Sequence, residues 1–517
     1  MGLLRADYLE NPKTLGLPIL VAILSYAVLS TFLSWFRLRK FKGPFLASLT
    51  HLWLAHVNYS GKALEYYMAA RNKYKTPLLR VAPNTLMTDD PEVVRQMNTA
   101  RNGYARSQWY DSFRLDPYVH NMFSTRDLTY HDDIKSRTAA GYSGREVPNL
   151  ENDVDEQIGR IKNLVRDKHL SRPGETHPVD FTLIAQLFTL DSLSTIAYGE
   201  PFGFIEADCD LDDFIKKARA TFPFVTLCSM VPIMNKIFFS TFWLKVAGPK
   251  ITDGKGFGVL MAMAGKVVAP RFGPNAKDGK NDMLASFVRH GLTKRQCEAE
   301  ALLQILAGSD STGNAIRAMM LAVVSSPQVY RRLQEEIDDA STRGLISTPI
   351  SLAEARNLPY LQAVIYESLR YHSPLIGVNT KVVPKGGDTL AGQYVPGGTN
   401  VAVNPWALMW HAPTFGDDVD VFRPDRWIEA TPEHFQEMTR NAELVFGHGR
   451  FMCAGKTVAF MELNKIIVEL IRDFDFQLIN LYKPCEEVLY THFLMEKLWL
   501  RITEREGTQK RVKASVV

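Results

Sequence analysis

Residues 293–324, TKRQCEAEALLQILAGSDSTGNAIRAMMLAVV, contain no proline and open with Thr293 and Gln296 in the spacing of a capping box. A helix starting there can run unbroken to about Val324, roughly 31 residues or ~46 Å. An element of that length crosses an entire domain, so the other elements must pack around it. Helical signals continue downstream. Ser326 and Pro327 open PQVYRRLQEEIDDA with proline in the first turn, Ser351 and Glu354 form a second capping box, and Pro359 opens PYLQAVIYESLRYH, with Pro374 soon after. Short β-branched runs come next, TKVV from Thr380 and TNVAV from Thr399 after a Pro-Gly-Gly turn. No internal repeat or low-complexity linker divides residues 50–505. The expected fold is mainly α with small β-sheets, one large catalytic unit.

The chain has 517 residues, 46% of them hydrophobic and 22% charged, which suffices for a sizeable core. A formal net charge of +4 without a long basic run argues against nucleic-acid binding. Cys209, Cys228, Cys297, Cys453 and Cys485 include no Cys-x-x-Cys pair, so neither a zinc site nor a disulfide framework is indicated. They read as thiols in a reducing compartment. No charge occurs between Lys13 and Arg37. As a helix, Thr14–Phe36 reaches roughly 35 Å, enough to cross a bilayer core and longer than the apolar part of a cleaved signal peptide. Arg37, Arg39, Lys40 and Lys42 crowd the exit, which places the polypeptide after residue 37 in the cytosol. The expected division is a lumenal tail (1–13), a transmembrane signal anchor (14–36), a basic, proline-containing linker (37–50), the catalytic domain (51–505) and a flexible tail (506–517).

The segment FGHGRFMCAG, residues 446–455, combines one cysteine, three glycines and two basic side chains. After it, Ala459, Leu463, Ile466, Leu470 and Phe474 recur at helical steps, so Cys453 sits where a loop enters a helix. Unpaired amides and the positive dipole end favour thiolate there. Gly447, Gly449 and Gly455 allow close approach of a flat ligand. This pattern suits haem, with Cys453 sulfur on iron and His448 and Arg450 toward the propionates. The competing reading is a buried cysteine after a glycine-rich turn.

That segment resembles the cysteine signature of the cytochrome P450 superfamily, with Phe446, Gly449, Arg450, Cys453 and Gly455 standing for its phenylalanine, glycine, arginine, cysteine and glycine. Three further signatures stand in the family's order: AGSDST (Ala307–Thr312), ESLR with Glu367 and Arg370, and FRPDRW with Arg426. RSQWYDSFR (106–114) and AAGYSGREV (139–147) more loosely resemble the fungal pisatin-demethylase-like group. The resemblance implies a P450 haem domain carrying haem b on the Cys453 thiolate and oxygen activation beside Asp310, Ser311 and Thr312. It also implies a triad Glu367, Arg370 and Arg426 that holds the loop before the cysteine, and propionate partners at His131, Lys135 and Lys381. Lysine in place of arginine is a point charge rather than a fork, and solvated surface roles compete for all three.

In the central helix Gly308 and Gly313 each cost about 1 kcal/mol relative to alanine, so something must require their smallness; a haem face and its oxygen are the expected reason. Asp310 with the Ser311 hydroxyl can relay protons from water. Most family members have threonine where this chain has Ser311, and serine lacks the β-branch that stiffens χ1. A solvated helix bend is the plainer reading of GSDST, and a surface pair that of Glu-x-x-Arg. TFPFVTLCSM (221–230), Leu375–Val378 and HFLMEKL (492–498) occupy family substrate regions, although core packing explains them equally well.

The chain thus reads as a membrane-anchored haem-thiolate monooxygenase of the endoplasmic reticulum. It takes an apolar small molecule, O2 and electrons from NADPH through a separate NADPH–cytochrome P450 reductase, with cytochrome b5 as an optional second donor and no stable oligomer implied. Fungal secondary metabolism is the setting the group resemblance implies. A haem-thiolate isomerase or dehydratase without a reductase, and a non-catalytic membrane-bound haem binder, are the competing classes.

Overall fold

The computed structural model describes residues 28–274, 281–374, 377–489 and 493–505, with the single positions 21, 25 and 276. Both expected tails and much of the expected membrane span, like Leu375 and Ile376, lie outside the described residues.

The long helix is present as Lys294–Val324, 31 residues. Its capping box is formed: the Gln296 amide donates to Thr293 Oγ1 at 3.3 Å and the Thr293 amide to Gln296 Oε1 at 2.9 Å. Along one side lies helix Phe181–Tyr198, buried over nearly its whole circumference, which accounts for its lack of a polar stripe. Helices Phe257–Val268, Pro359–Tyr371 and Lys456–Asp473 close around the rest. Pro327 and Pro359 occupy first-turn positions, where a missing N–H costs nothing, and Ser351 and Glu354 cap each other.

The β runs assemble into a five-stranded sheet in the spatial order Leu79–Ala82, Thr85–Thr88, Asn400–Val403, Thr380–Val382, Ala105–Arg106. Thr85–Thr88 pairs in parallel with Asn400–Val403, placing Leu86 opposite Val401; the other pairings are antiparallel. At the inner edge Arg106 stands opposite Lys381. A second sheet joins Pro178–Asp180, Trp499–Glu504 and Phe474–Leu478. The architecture is mainly α with small sheets, and the central helix and the sheet edge converge on one cavity. Among the described residues no single helix is long and apolar enough to cross a membrane.

Candidate functional site

From the turn Glu443–Phe446 the chain passes Gly447 and a second turn, Gly449–Phe451, to reach Cys453, two residues before helix Lys456–Asp473 begins capping at Gly455. The Cys453 amide donates to the Phe446 carbonyl at 2.7 Å, which locks the loop into a closed arch. Cys453 is exposed, but onto a cavity of about 410 Å³. Phe446, Gly447 and Gly455 line this cavity; Gly449, His448 and Arg450 do not. Gly449 has φ +55° and a Cβ there would meet the Asn98 carbonyl oxygen at 2.5 Å, so its smallness serves the packing of the loop on helix Pro91–Asn98 rather than ligand approach. The expected balance at sulfur also changes. Burial pushes the Cys453 thiol up; the amides of Gly455 and Lys456 and the charges of Lys135 and Lys456 oppose this without prevailing. Metal coordination deprotonates a thiol outright.

The cation assignments divide. His448 and Arg450 are not among the residues that line the cavity, and Arg450 Nε lies 3.4 Å from Asp132 Oδ2. His131 lines the cavity, but burial pulls its pKa down to about 4, so it serves as a neutral hydrogen-bonding group, not a cation. Lys135 lines it too and donates to the carbonyls of Arg450, at 2.6 Å, and Met452, at 3.1 Å, clamping the cysteine loop. Lys381 is 4% exposed and faces the same space, as does Arg106, 6% exposed. No carboxylate pairs with Arg106, Lys135 or Lys381 among the described residues. Burying unpaired cations is costly, and the orphaned Nε of Arg106 makes the imbalance explicit.

On the facing wall the central helix presents Ala307, Gly308, Asp310, Ser311 and Thr312. A Cβ on Gly308 would come 3.2 Å from Leu193 Cδ1, and one on Gly313 would come 3.3 Å from Thr189 Oγ1. Both glycines pack closely against helix Phe181–Tyr198, and Gly308 also lines the cavity. The Ser311 hydroxyl donates to the Ala307 carbonyl at 2.6 Å, the back-bond typical of a helical serine. Buried Asp310 is paired with Arg219, at 3.3 Å, whose guanidinium also reaches Gln186 Oε1 at 3.2 Å and Glu496 Oε1 at 3.2 Å.

Glu367, Arg370 and Arg426 come together as a buried network. Arg370 forks onto both Glu367 oxygens at 2.6 and 2.9 Å, and Arg426 Nε shares them at 3.0 and 3.1 Å. The arginines then donate to the carbonyls of Asp418, Val419 and Val421. With the Phe415 carbonyl, to which Arg426 also donates, the segment they hold directly is 415–421, in the polypeptide that leads to the cysteine loop. Contact with the cysteine loop runs through Tyr366, which stacks on Trp427 and donates to Glu443 at 3.2 Å, and through Phe460, 5.1 Å from the Phe446 ring.

A single cavity thus joins a cysteine on a clamped loop, unpaired cations at a sheet edge and an acid–hydroxyl helix wall. The family model described as Cytochrome P450 matches residues 42–498. The chain belongs to the cytochrome P450 family. It is 44% identical over 494 residues to cytochrome P450 monooxygenase ABA1 of Pyricularia oryzae, covering 94% of this chain and 96% of that protein. It is 43% identical over 475 residues to aba1 of Botryotinia fuckeliana, covering 91% and 93%, and 40% identical over 465 residues to abl1 of Leptosphaeria maculans, covering 88% and 81%. This P450 is a monooxygenase, and the family implies haem-thiolate chemistry. The residues fit that group: one cysteine opens onto the cavity, and the buried cations lack the anionic partners that haem carboxylates provide.

Several lining residues had little or no signal in the sequence. Trp109, Phe113 and Phe123 form an aromatic cluster on the wall, with Trp109 and Phe113 centroids 4.8 Å apart; the first two stand in WYDSF, which was the available hint, and Phe123 had none. Arg106 opens the stretch RSQWYDSFR but carried no role there, and Phe451 gave no signal. Of 221–230, Phe222 and Val225 line the cavity. Leu494, Met495 and Leu498 of 492–498 are core residues instead.

Proposed function

We propose that Cys453 is the axial haem ligand and that Arg106, Lys135 and Lys381 receive the haem carboxylates, with His131 as a neutral partner. Haem bound in this way supplies the activation of dioxygen. The chain's own groups do the rest. The loop geometry aims Cys453 into the cavity, Lys135 fixes that loop, and the Glu367–Arg370–Arg426 network holds the polypeptide beneath it. Asp310 carries protons inward, the Ser311 hydroxyl passes them on, and Thr312 adds a second hydroxyl to the same wall. The opening of Cys453 onto the cavity across from the Asp310–Thr312 wall carries this reading.

The substrate is an apolar molecule of moderate size, held among Trp109, Phe113, Phe222, Val225 and Leu306. One oxygen atom enters it and the other leaves as water, in a hydroxylation, epoxidation, dealkylation or oxidative coupling. Electrons come from NADPH–cytochrome P450 reductase, with cytochrome b5 as an optional donor. Residues 28–37 are helical, with Leu29, Phe32, Leu33 and Phe36 exposed ahead of the basic run Arg37–Lys42, which supports a membrane anchor over 14–36 and a cytosolic domain over 51–505 at the endoplasmic reticulum. The fungal relatives support a role in secondary metabolism.

The test is turnover in membranes containing the reductase, with NADPH, isotopically labelled dioxygen and extracts of a strain lacking the gene. A product gaining one labelled oxygen, or losing a methyl group, supports the proposal. Conversion without NADPH and O2 favours an isomerase or dehydratase.

A further inference from the structure

We infer that Phe451 is a positioning residue of the cofactor site: its ring holds the Lys381 ammonium, and with it the Arg106 guanidinium, at the cavity wall that receives the haem carboxylates. The inference rests on the haem reading above.

Arg106 and Lys381 face one another across adjacent antiparallel strands. Like charges in that register repel, and both side chains are almost fully buried. Arg106 offsets part of its burial by donating to the carbonyls of Met122 and Thr125, the latter at 3.4 Å. Lys381 has no hydrogen bond to a carbonyl or carboxylate among the described residues. What it has is a π face. Lys381 Nζ lies 3.3 Å from the Phe451 ring centroid, against 5.2 Å from Tyr110. Arg106 Cζ lies 4.8 Å from that same Phe451 centroid. The negative face of an aromatic ring attracts cations, most strongly where water is excluded.

The position of Phe451 gives the contact its consequence. It is two residues before Cys453, in the turn Gly449–Phe451, and it lines the cavity. One ring therefore ties the loop bearing the proposed iron ligand to the strands bearing the cations. Tyr110 also lies near both cations, 4.9 Å from Arg106 and 5.2 Å from Lys381, but without the Phe451 ring Lys381 loses its nearest partner and can swing away from the wall. Burial and the charges of Arg106 and Lys135 already push the Lys381 pKa well down, consistent with an ammonium that needs such support.

The competing role is simple filling of space, since Phe451 also packs at 5.0 Å from the His131 ring. Phe451→Leu keeps apolar bulk and removes the π face, whereas Phe451→Tyr keeps both. The experiment measures haem transfer from the ferric holoenzyme to a scavenging apo-globin, with the reduction potential, in both variants, in Lys381→Met and in Lys381→Met/Phe451→Leu. We expect haem loss from Phe451→Leu to accelerate by about two- to thirty-fold, the span of a cation–π contact from exposed to desolvated settings. Its potential shifts, Phe451→Tyr stays near wild type, and the double variant matches Lys381→Met alone. Wild-type behaviour of Phe451→Leu, equal damage in Phe451→Tyr, or additive effects in the double variant would each overturn the inference. The carbon monoxide spectrum of the wild-type preparation tests the haem-thiolate reading separately; a wild type without haem overturns both.

Discussion

Arg219 Nη2 lies 3.3 Å from Asp310 Oδ1 while Nη1 of the same guanidinium lies 3.2 Å from Glu496 Oε1. One arginine at the end of helix Phe214–Arg219 thus ties the acid of the central helix to strand Phe493–Glu496. Removing it strands a buried carboxylate, so Arg219→Met is predicted to cost about 1–3 kcal/mol of stability. Asp310→Asn in that background is predicted to recover part of the loss. A double-mutant cycle by chemical denaturation checks this, and strict additivity would mean the pair is not coupled.

Ser311 donates its hydroxyl proton to the Ala307 carbonyl, and the residue lines the cavity. Ser311→Ala should leave haem bound but divert electrons from product to hydrogen peroxide. Product formed per NADPH consumed reads this out; unchanged coupling contradicts the relay. Ser311→Thr, which restores the branched side chain, is predicted to keep coupling at or above the wild-type level.

Glu367 accepts from both arginines and from Trp427 Nε1 at 2.9 Å, all of it buried. Truncating one member leaves a buried charge without its partner, at a cost of about 3–5 kcal/mol. Arg370→Ala is accordingly predicted to abolish haem incorporation, measured as the haem-to-protein ratio. A normal ratio would show that the network is dispensable.

Glu462, buried on the helix after Cys453, accepts from Ser192 Oγ at 2.6 Å, and burial pushes its pKa up to about 7. The folded value lies above the unfolded one near 4.3. Its contribution is fully present below the unfolded value and is lost as pH rises through about 7. In Glu462→Gln the fall in melting temperature between about pH 5 and pH 8 should be shallower than in wild type. Parallel profiles would argue against a raised carboxyl.

The elements that sequence made legible are those with local signals. Capping boxes at Thr293 and Ser351, and prolines at 327 and 359, set helix starts through backbone chemistry within four residues. The Glu367–Arg370–Arg426 network was legible through the family resemblance, since spacing alone put only Glu367 and Arg370 on one helical turn. The hidden features depend on long-range register. Arg106 meets Lys381 only once strands far apart in sequence pair, and Arg219 meets Asp310 only across the cavity wall. The neighbours of the glycines were hidden for the same reason: positions 308, 313 and 449 pack against Leu193, Thr189 and Asn98 on other elements. Arg450 and His448 adjoin Cys453 in sequence, yet neither lines the cavity onto which the cysteine opens.

The most direct measurement is the absorption spectrum of the purified, reduced protein under carbon monoxide. Sulfur from residue 453 on iron predicts the long-wavelength Soret shift particular to thiolate coordination, and its complete loss in Cys453→Ser. A Soret band without that shift, or a shifted band that persists in the variant, would contradict the account.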